Sequence, residues 1–162
     1  MGSGKSKTAE SLSKLFKYDF YDTDRLVEDK SGNAISTIFN NEGHEYFREI
    51  EKQVLRSTEK NENCIVSTGG GTPCYHQNME WMNSKGITVY LEANAGLLFH
   101  RLATSRAGRP LIESLNDVEL MEQIMTHLTV RIPFYSQAMI TVYAASLNVK
   151  LLAEKIKSLK KL

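Results

Sequence analysis

Apolar positions along this chain follow two patterns in turn, one of helical period and one of short unbroken runs. Leu12, Leu15 and Phe16 share a face and predict a helix over 5–15. Tyr18-Asp19-Phe20-Tyr21 reads as a short aromatic strand that ends on Asp22-Thr23-Asp24. A helix is expected over 25–30, stopped by Ser31-Gly32-Asn33, and Ile35, Ile38 and Phe39 line a short helix after it. Phe47, Ile50 and Val54 mark a longer amphipathic helix over 45–58. Cys64-Ile65-Val66-Ser67 is a buried-type strand running into Thr68-Gly69-Gly70-Gly71, and 87–91 is the clearest strand of all. Leu97, Leu98 and Leu102 predict the next helix. The segment 104–116, with Arg106, Gly108, Arg109 and Pro110, reads as a mobile loop. Beyond it we expect a long helix over 117–134 with Asp117 as N-cap, a strand over 139–142 and a helix over 149–159. Strands alternating with helices imply an α/β domain, a parallel sheet covered on both faces.

Length and composition narrow this picture. At 162 residues, with no repeat, low-complexity tract or linker, the chain is expected to be a single domain over 1–162. A net charge of +1 argues against a nucleic-acid partner, which would call for a strongly basic surface. No apolar run reaches the roughly 18–20 residues that span a bilayer, and no leader opens the chain, so neither membrane nor secretion is expected. Cys64 and Cys74 show no metal-site spacing and fit reduced thiols in a cytoplasmic protein. His44, His76, His100 and His127 are scattered and take no role. The lysines at 155, 157, 160 and 161 fit a solvated helix face, with Leu151, Leu152, Ile156 and Leu159 on the buried side.

Chemistry enters at the first residues. Gly2-Ser3-Gly4-Lys5-Ser6 is the end of a phosphate-binding loop, in which glycines turn backbone N–H groups inward at a helix N-terminus. Lys5 would reach the terminal phosphates of ATP, and the Ser6 hydroxyl a Mg²⁺ ion; a flexible tail is the other reading of the same residues. Asp22 and Asp24 stand where a strand ends, the usual place for ligands in an open α/β sheet. They suit a metal environment and the orientation or deprotonation of a hydroxyl, and equally the capping of a helix. Three glycines at 69–71 imply a close backbone approach or positive φ. Arg48, Arg109 and Arg131 can each grip carboxylate or phosphate bidentately and, beside a phosphate loop, suggest an anionic acceptor.

Those residues, taken with Phe47-Arg48-Glu49-x-Glu51, Ser67 to Pro73, Arg109-Pro110-Leu111 and Arg131-x-Pro133-x-Tyr135, make the chain resemble the shikimate kinases from Met1 to its last helix. The resemblance implies a P-loop, nucleoside monophosphate kinase-like three-layer sandwich with a five-stranded parallel sheet. It implies transfer of the ATP γ-phosphate to the 3-hydroxyl of shikimate, in aromatic amino-acid and chorismate biosynthesis, by a monomer. It further implies Asp24 as base or orienter, Arg48 and Arg131 on the shikimate carboxylate, and Gly70 and Gly71 lining the site. Ile35, Phe39 and Phe47, in the substrate-binding helices over 24–59, would pack on the ring, with Pro110 and Leu111 nearby. Gly2, Ser3, Gly4, Lys5, Ser6 and Lys7 would hold ATP. Arg101 would stack on adenine, Arg109 would be the arginine of the lid, and Asp22 with Ser67 would join Ser6 around magnesium.

Lys7 and Ala9 depart from the family, which usually has Thr and Gly there, and the Ser146-Leu147-Asn148 stretch lacks an arginine some members carry. Another small-molecule kinase of the same fold, such as a gluconate kinase, and a non-catalytic nucleotide-binding domain are the rival readings. The loop's first glycine and the strand that should precede it are not in the sequence. We therefore expect the first of the sheet's strands to be missing, with Met1 an internal methionine of the loop and roughly ten further residues upstream.

Overall fold

The computed structural model describes residues 2–104, 112 and 114–160, the last of these for its backbone only. Arg109, Pro110, Leu111 and most of the expected loop over 104–116 lie outside the described residues, as does Met1. The elements run α1 (Lys5–Phe16), β1 (Asp19–Asp22), α2 (Thr23–Ser31), α3 (Ile35–Asn41), α4 (Gly43–Ser57), β2 (Cys64–Ser67) and α5 (Asn78–Lys85). They continue with β3 (Val89–Glu92), α6 (Ala95–Ala103), α7 (Asp117–Tyr135), β4 (Ile140–Tyr143) and α8 (Val149–Lys160). Among the described residues no helix is long and apolar enough to cross a membrane, and neither cysteine is in a disulfide.

The expected five-stranded sheet is not what the described residues form. They form two parallel pairs, β1 with β2 and β3 with β4. Asp22 lies opposite Ser67 in the first pair and Glu92 opposite Tyr143 in the second. Between the pairs is an apolar cavity of about 450 Å³, walled by Ile65 and Val66 of β2, Val89 and Leu91 of β3, and Leu12 of α1. That space is why β2 and β3 share no hydrogen-bond ladder.

Helices cover both faces, as the alternation predicts. On one side Leu12 of α1 packs with Leu152, Ala153 and Ile156 of α8 and with Ile140 of β4. On the other, Leu98 and Leu102 of α6 meet Leu120 and Ile124 of α7 against Leu91 of β3. A third cluster, Val27, Ile38, Phe47, Ile50 and Val54, ties α2, α3 and α4 into a lobe beside the β1–β2 pair.

Several local expectations need correction. The α7 N-cap is Asn116, not Asp117: its side chain accepts from the Val118 and Glu119 amides, and Glu119 answers to the Asn116 amide in a capping box. In α8 the buried side is Leu152, Ala153 and Ile156, whereas Leu151 is 62% exposed because its position faces away from α1. The helix α5 has no counterpart in the periodicity reading. Its only buried residues are Asn78 and Met79, so it offers no apolar stripe to detect.

Candidate active site

The phosphate loop is built by backbone conformation. Gly2 (φ 79°) and Gly4 (φ 95°) both take left-handed conformations that a side chain would strain, and Gly4 is the N-cap of α1. The first amides of α1 therefore face outward without helical partners, at the positive end of the helix dipole. Arg101 of α6 braces the loop from behind: its Nη1 donates to the carbonyls of Gly2 (3.2 Å) and Ser3 (3.0 Å), and its Nη2 to Ala144 (3.3 Å). Lys7 is exposed in the first turn of α1.

Lys5 and Ser6 point toward the carboxyl ends of the β1–β2 pair. Burial lowers the Lys5 ammonium pKa, while Asp24 and Asp22 raise it and Arg131 lowers it further. These four charges share one cleft. The Ser6 hydroxyl donates to Asp22 Oδ2 at 2.9 Å and lies 3.2 Å from the buried Ser67 hydroxyl. Asp22 Oδ1 accepts the Asp24 amide at 3.0 Å, so Asp22 caps α2 while its other oxygen faces Ser6. Two hydroxyls and one carboxylate form an all-oxygen donor set, which suits Mg²⁺, a hard cation usually held by one or two carboxylates plus substrate phosphates. Capping and a metal role are thus compatible in one residue.

Asp24 stands in the first turn of α2, open to solvent on one side and backed by protein on the other. Burial raises its carboxyl above the ordinary range, Asp22 and Glu51 add to the rise, and Lys5 opposes it. Facing it is the glycine run. A Cβ on Gly69 would come 2.9 Å from both Asp24 Oδ1 and Glu51 Oε1, and a Cβ on Gly71 only 2.6 Å from Arg48 Nη2. Close approach, not positive φ, explains glycine at these two positions.

Arg48 is 8% exposed and Glu51 1%. Arg48 Nη1 donates to Glu51 Oε2 at 2.6 Å, and the Thr72 hydroxyl donates to Glu51 Oε1 at 2.6 Å. Phe47 stacks against Phe39 with ring centroids 4.5 Å apart, and Ile35 packs on the same lobe. From α7, the Tyr135 hydroxyl donates to the Gly70 carbonyl at 2.5 Å. Arg131, one turn earlier, acts electrostatically on Tyr135, Lys5 and Cys74.

The structure therefore gathers Lys5, Ser6, Asp22, Asp24, Arg48, Gly70, Gly71 and Arg131 near the carboxyl ends of β1 and β2, with Phe47 beside Arg48 and Ile35 and Phe39 packed with Phe47 in the α2–α4 lobe. Arg101 lies behind the loop on its carbonyls. Glu51, Thr72 and Tyr135 hold the site together although the sequence reading assigned them no role. Glu51 had one available signal, its i,i+3 spacing from Arg48.

The sequence model of the family described as shikimate kinase matches residues 1–160. The chain belongs to the shikimate kinase family. A curated shikimate kinase of Azobacteroides pseudotrichonymphae is 38% identical over 157 residues, covering 96% of this chain and 92% of that protein. The 1.7 Å crystal structure of the shikimate kinase of Bacteroides thetaiotaomicron superposes with a TM-score of 0.90 at 33% identity, covering all of this chain and 94% of the other. The Acinetobacter baumannii shikimate kinase, solved in complex with shikimate, gives a TM-score of 0.84 at 31% identity over 98% of this chain and 87% of that one. The P-loop, nucleoside monophosphate kinase-like α/β fold expected from the resemblance is thereby established.

Proposed function

We propose that this member of the shikimate kinase family transfers the γ-phosphoryl group of ATP to the 3-hydroxyl of shikimate, a step toward chorismate and the aromatic amino acids. One observation carries the reading for this chain: Lys5, at the mouth of the phosphate loop, is buried and interacts electrostatically with Asp24 on one side and Arg131 on the other. A hydroxyl acceptor with an anionic group fits between a base and arginines there, within reach of a nucleotide's last phosphate.

In the proposed step the 3-hydroxyl oxygen attacks the γ-phosphorus, the bond from that phosphorus to the β,γ-bridging oxygen breaks, and ADP leaves. Asp24 orients the hydroxyl and takes its proton, a task suited to a carboxyl whose affinity for protons is raised. Arg48 and Arg131 hold the shikimate carboxylate, Gly70 and Gly71 let the ring approach, and Ile35, Phe39 and Phe47 pack on it. The loop amides at Gly2, Ser3 and Gly4 and the α1 amides at Ser6 and Lys7, with the Lys5 ammonium, stabilise phosphate charge that builds during transfer. Ser6, Asp22 and Ser67 would hold Mg²⁺, which supplies charge neutralisation on the phosphates. Arg109, in a lid over 104–116, and Arg101, on adenine, complete the proposed nucleotide contacts. We read the active form as a cytoplasmic monomer.

The cavity between β2 and β3 supports one further element of this reading. An added parallel strand leading into Gly2 would fill it and join the pairs into one five-stranded sheet. Grafting the roughly ten residues that precede the matching loop in a relative is expected to raise the melting temperature; no rise refutes it.

The function is tested by coupled ADP release with ATP and Mg²⁺, using shikimate, gluconate or no acceptor. Turnover with shikimate, abolished by chelation of the metal, is the expected result. Turnover with gluconate alone, or with neither acceptor, refutes the proposal.

A further inference from the structure

Arg48 is held by more than its ion pair. Its Nε donates to His44 Nε2, one turn earlier on α4, at 3.3 Å. The guanidinium carbon lies 4.3 Å from the Tyr75 ring centroid and 4.9 Å from that of Phe47. His44 is itself clasped between rings, 5.8 Å from Phe39 and 5.2 Å from Tyr75. His44 is exposed to solvent on its outer side, and its Nε2 accepts from Arg48 at the edge of this ring cluster.

A guanidinium can meet a carboxylate through two forks, side-on by Nε with Nη2 or end-on by Nη1 with Nη2. His44 occupies Nε and closes the side-on fork, and Glu51 takes one hydrogen of Nη1. The remaining hydrogens are on Nη1 and Nη2, against which Gly71 packs so closely that a Cβ there would come 2.6 Å from Nη2 and cover them. We propose that His44 is a positioning residue for Arg48: by accepting from Nε it directs the free end of the guanidinium at the shikimate carboxylate, and it does so only while its imidazole is neutral. The proposal rests on the carboxylate-binding reading of Arg48.

Protonation removes the accepting lone pair and sets two cations in contact. The charged groups on His44's own helix that bear on this contact are Arg48 and, behind it, Glu51. From α3 it meets the uncharged ring of Phe39, and from the segment after Cys74 the Tyr75 phenol. None of the groups in direct ring contact offers a carboxylate to compensate a second positive charge.

The test measures KM for shikimate and kcat from about pH 8 to about pH 5.5 in the full chain and in three variants. His44→Phe keeps the ring contacts and loses the acceptor; KM is expected to rise about three- to tenfold at the alkaline end while kcat changes much less. His44→Gln keeps an uncharged acceptor, so it should recover most of that loss and rise less in KM on acidification than the parent. Arg48→Lys separates the two layers of the argument. A raised KM in Arg48→Lys beside a parent-like KM in His44→Phe overturns the role of His44 alone. An unchanged KM in Arg48→Lys overturns the carboxylate reading itself. Should His44→Phe fail to fold, the Gln variant decides: a KM profile parallel to the parent's overturns the proposal.

Discussion

Removing the Glu51 carboxylate should damage this protein out of proportion to the few atoms lost. Glu51 is 1% exposed and accepts from Arg48 and from the fully buried Thr72 hydroxyl, both at 2.6 Å. In Glu51→Ala the guanidinium, itself 8% exposed, keeps its charge but loses the carboxylate that compensates it, and water has little access to replace it. Breaking a buried pair from one side costs about 3–5 kcal/mol, a third or so of the roughly 5–15 kcal/mol that holds a domain together. At about 2–4 °C per kcal/mol for a chain of this length, the melting temperature should fall by about 6–20 °C. Thermal unfolding followed by circular dichroism at neutral pH reads this directly, with KM for shikimate measured beside it. Arg48→Met combined with Glu51→Leu removes both charges and should recover most of the stability while leaving no turnover. A Glu51→Ala melting temperature within about 2 °C of the parent would refute the argument, since it would mean that the pair is not buried as described.

Four more outcomes are expected. Asp24→Asn should cut turnover by about 10²–10⁴-fold in the ADP-release assay while calorimetry still shows ATP binding. Because burial, Asp22 and Glu51 raise this carboxyl in the folded state, its ionisation opposes folding. That cost is absent below the unfolded-state pKa and grows as pH climbs to the folded value. The Asn variant should therefore melt above the parent at neutral pH but not at about pH 3, and a lower neutral melting temperature would count against the shift. Tyr135→Phe leaves the Gly70 carbonyl without its donor, at a cost of about 0.5–1.5 kcal/mol, and should raise KM for shikimate more than it lowers kcat; the opposite split removes Tyr135 from the acceptor side. Asn116→Ala should destabilise by about 0.5–2 kcal/mol in urea unfolding, more than Asp117→Ala, and the reverse order would sink the capping assignment.

Much of the site was legible because its chemistry is local in sequence. A glycine loop running into a helix, carboxylates at a strand end and a glycine triplet are each read within a few residues, and parallel pairing of β1 with β2 then brings Asp22 to Ser67. What escaped depends on distance in the chain. Nothing local says that Tyr135 reaches back 65 positions to Gly70, or that the glycines at 69 and 71 make room for Asp24 and Arg48 instead of taking unusual dihedrals. In the sequence His44 stands alone, because the rings beside it come from α3 and from beyond β2. By residue type Asn116 and Asp117 are equally good caps for α7, and only the capping box with Glu119 decides for Asn116.

The glycine wall bears on how far this pocket can be redesigned. A side chain already reduced to hydrogen cannot be trimmed to admit a bulkier acceptor, and adding a methyl at position 71 collides with Arg48. On the proposed reading, variation that changes the accepted molecule must therefore enter through Ile35, Phe39 and Phe47 of the helical lobe, which have volume to give up. A library aimed at new acceptors belongs on α3 and α4, with the segment from 69 to 71 left untouched.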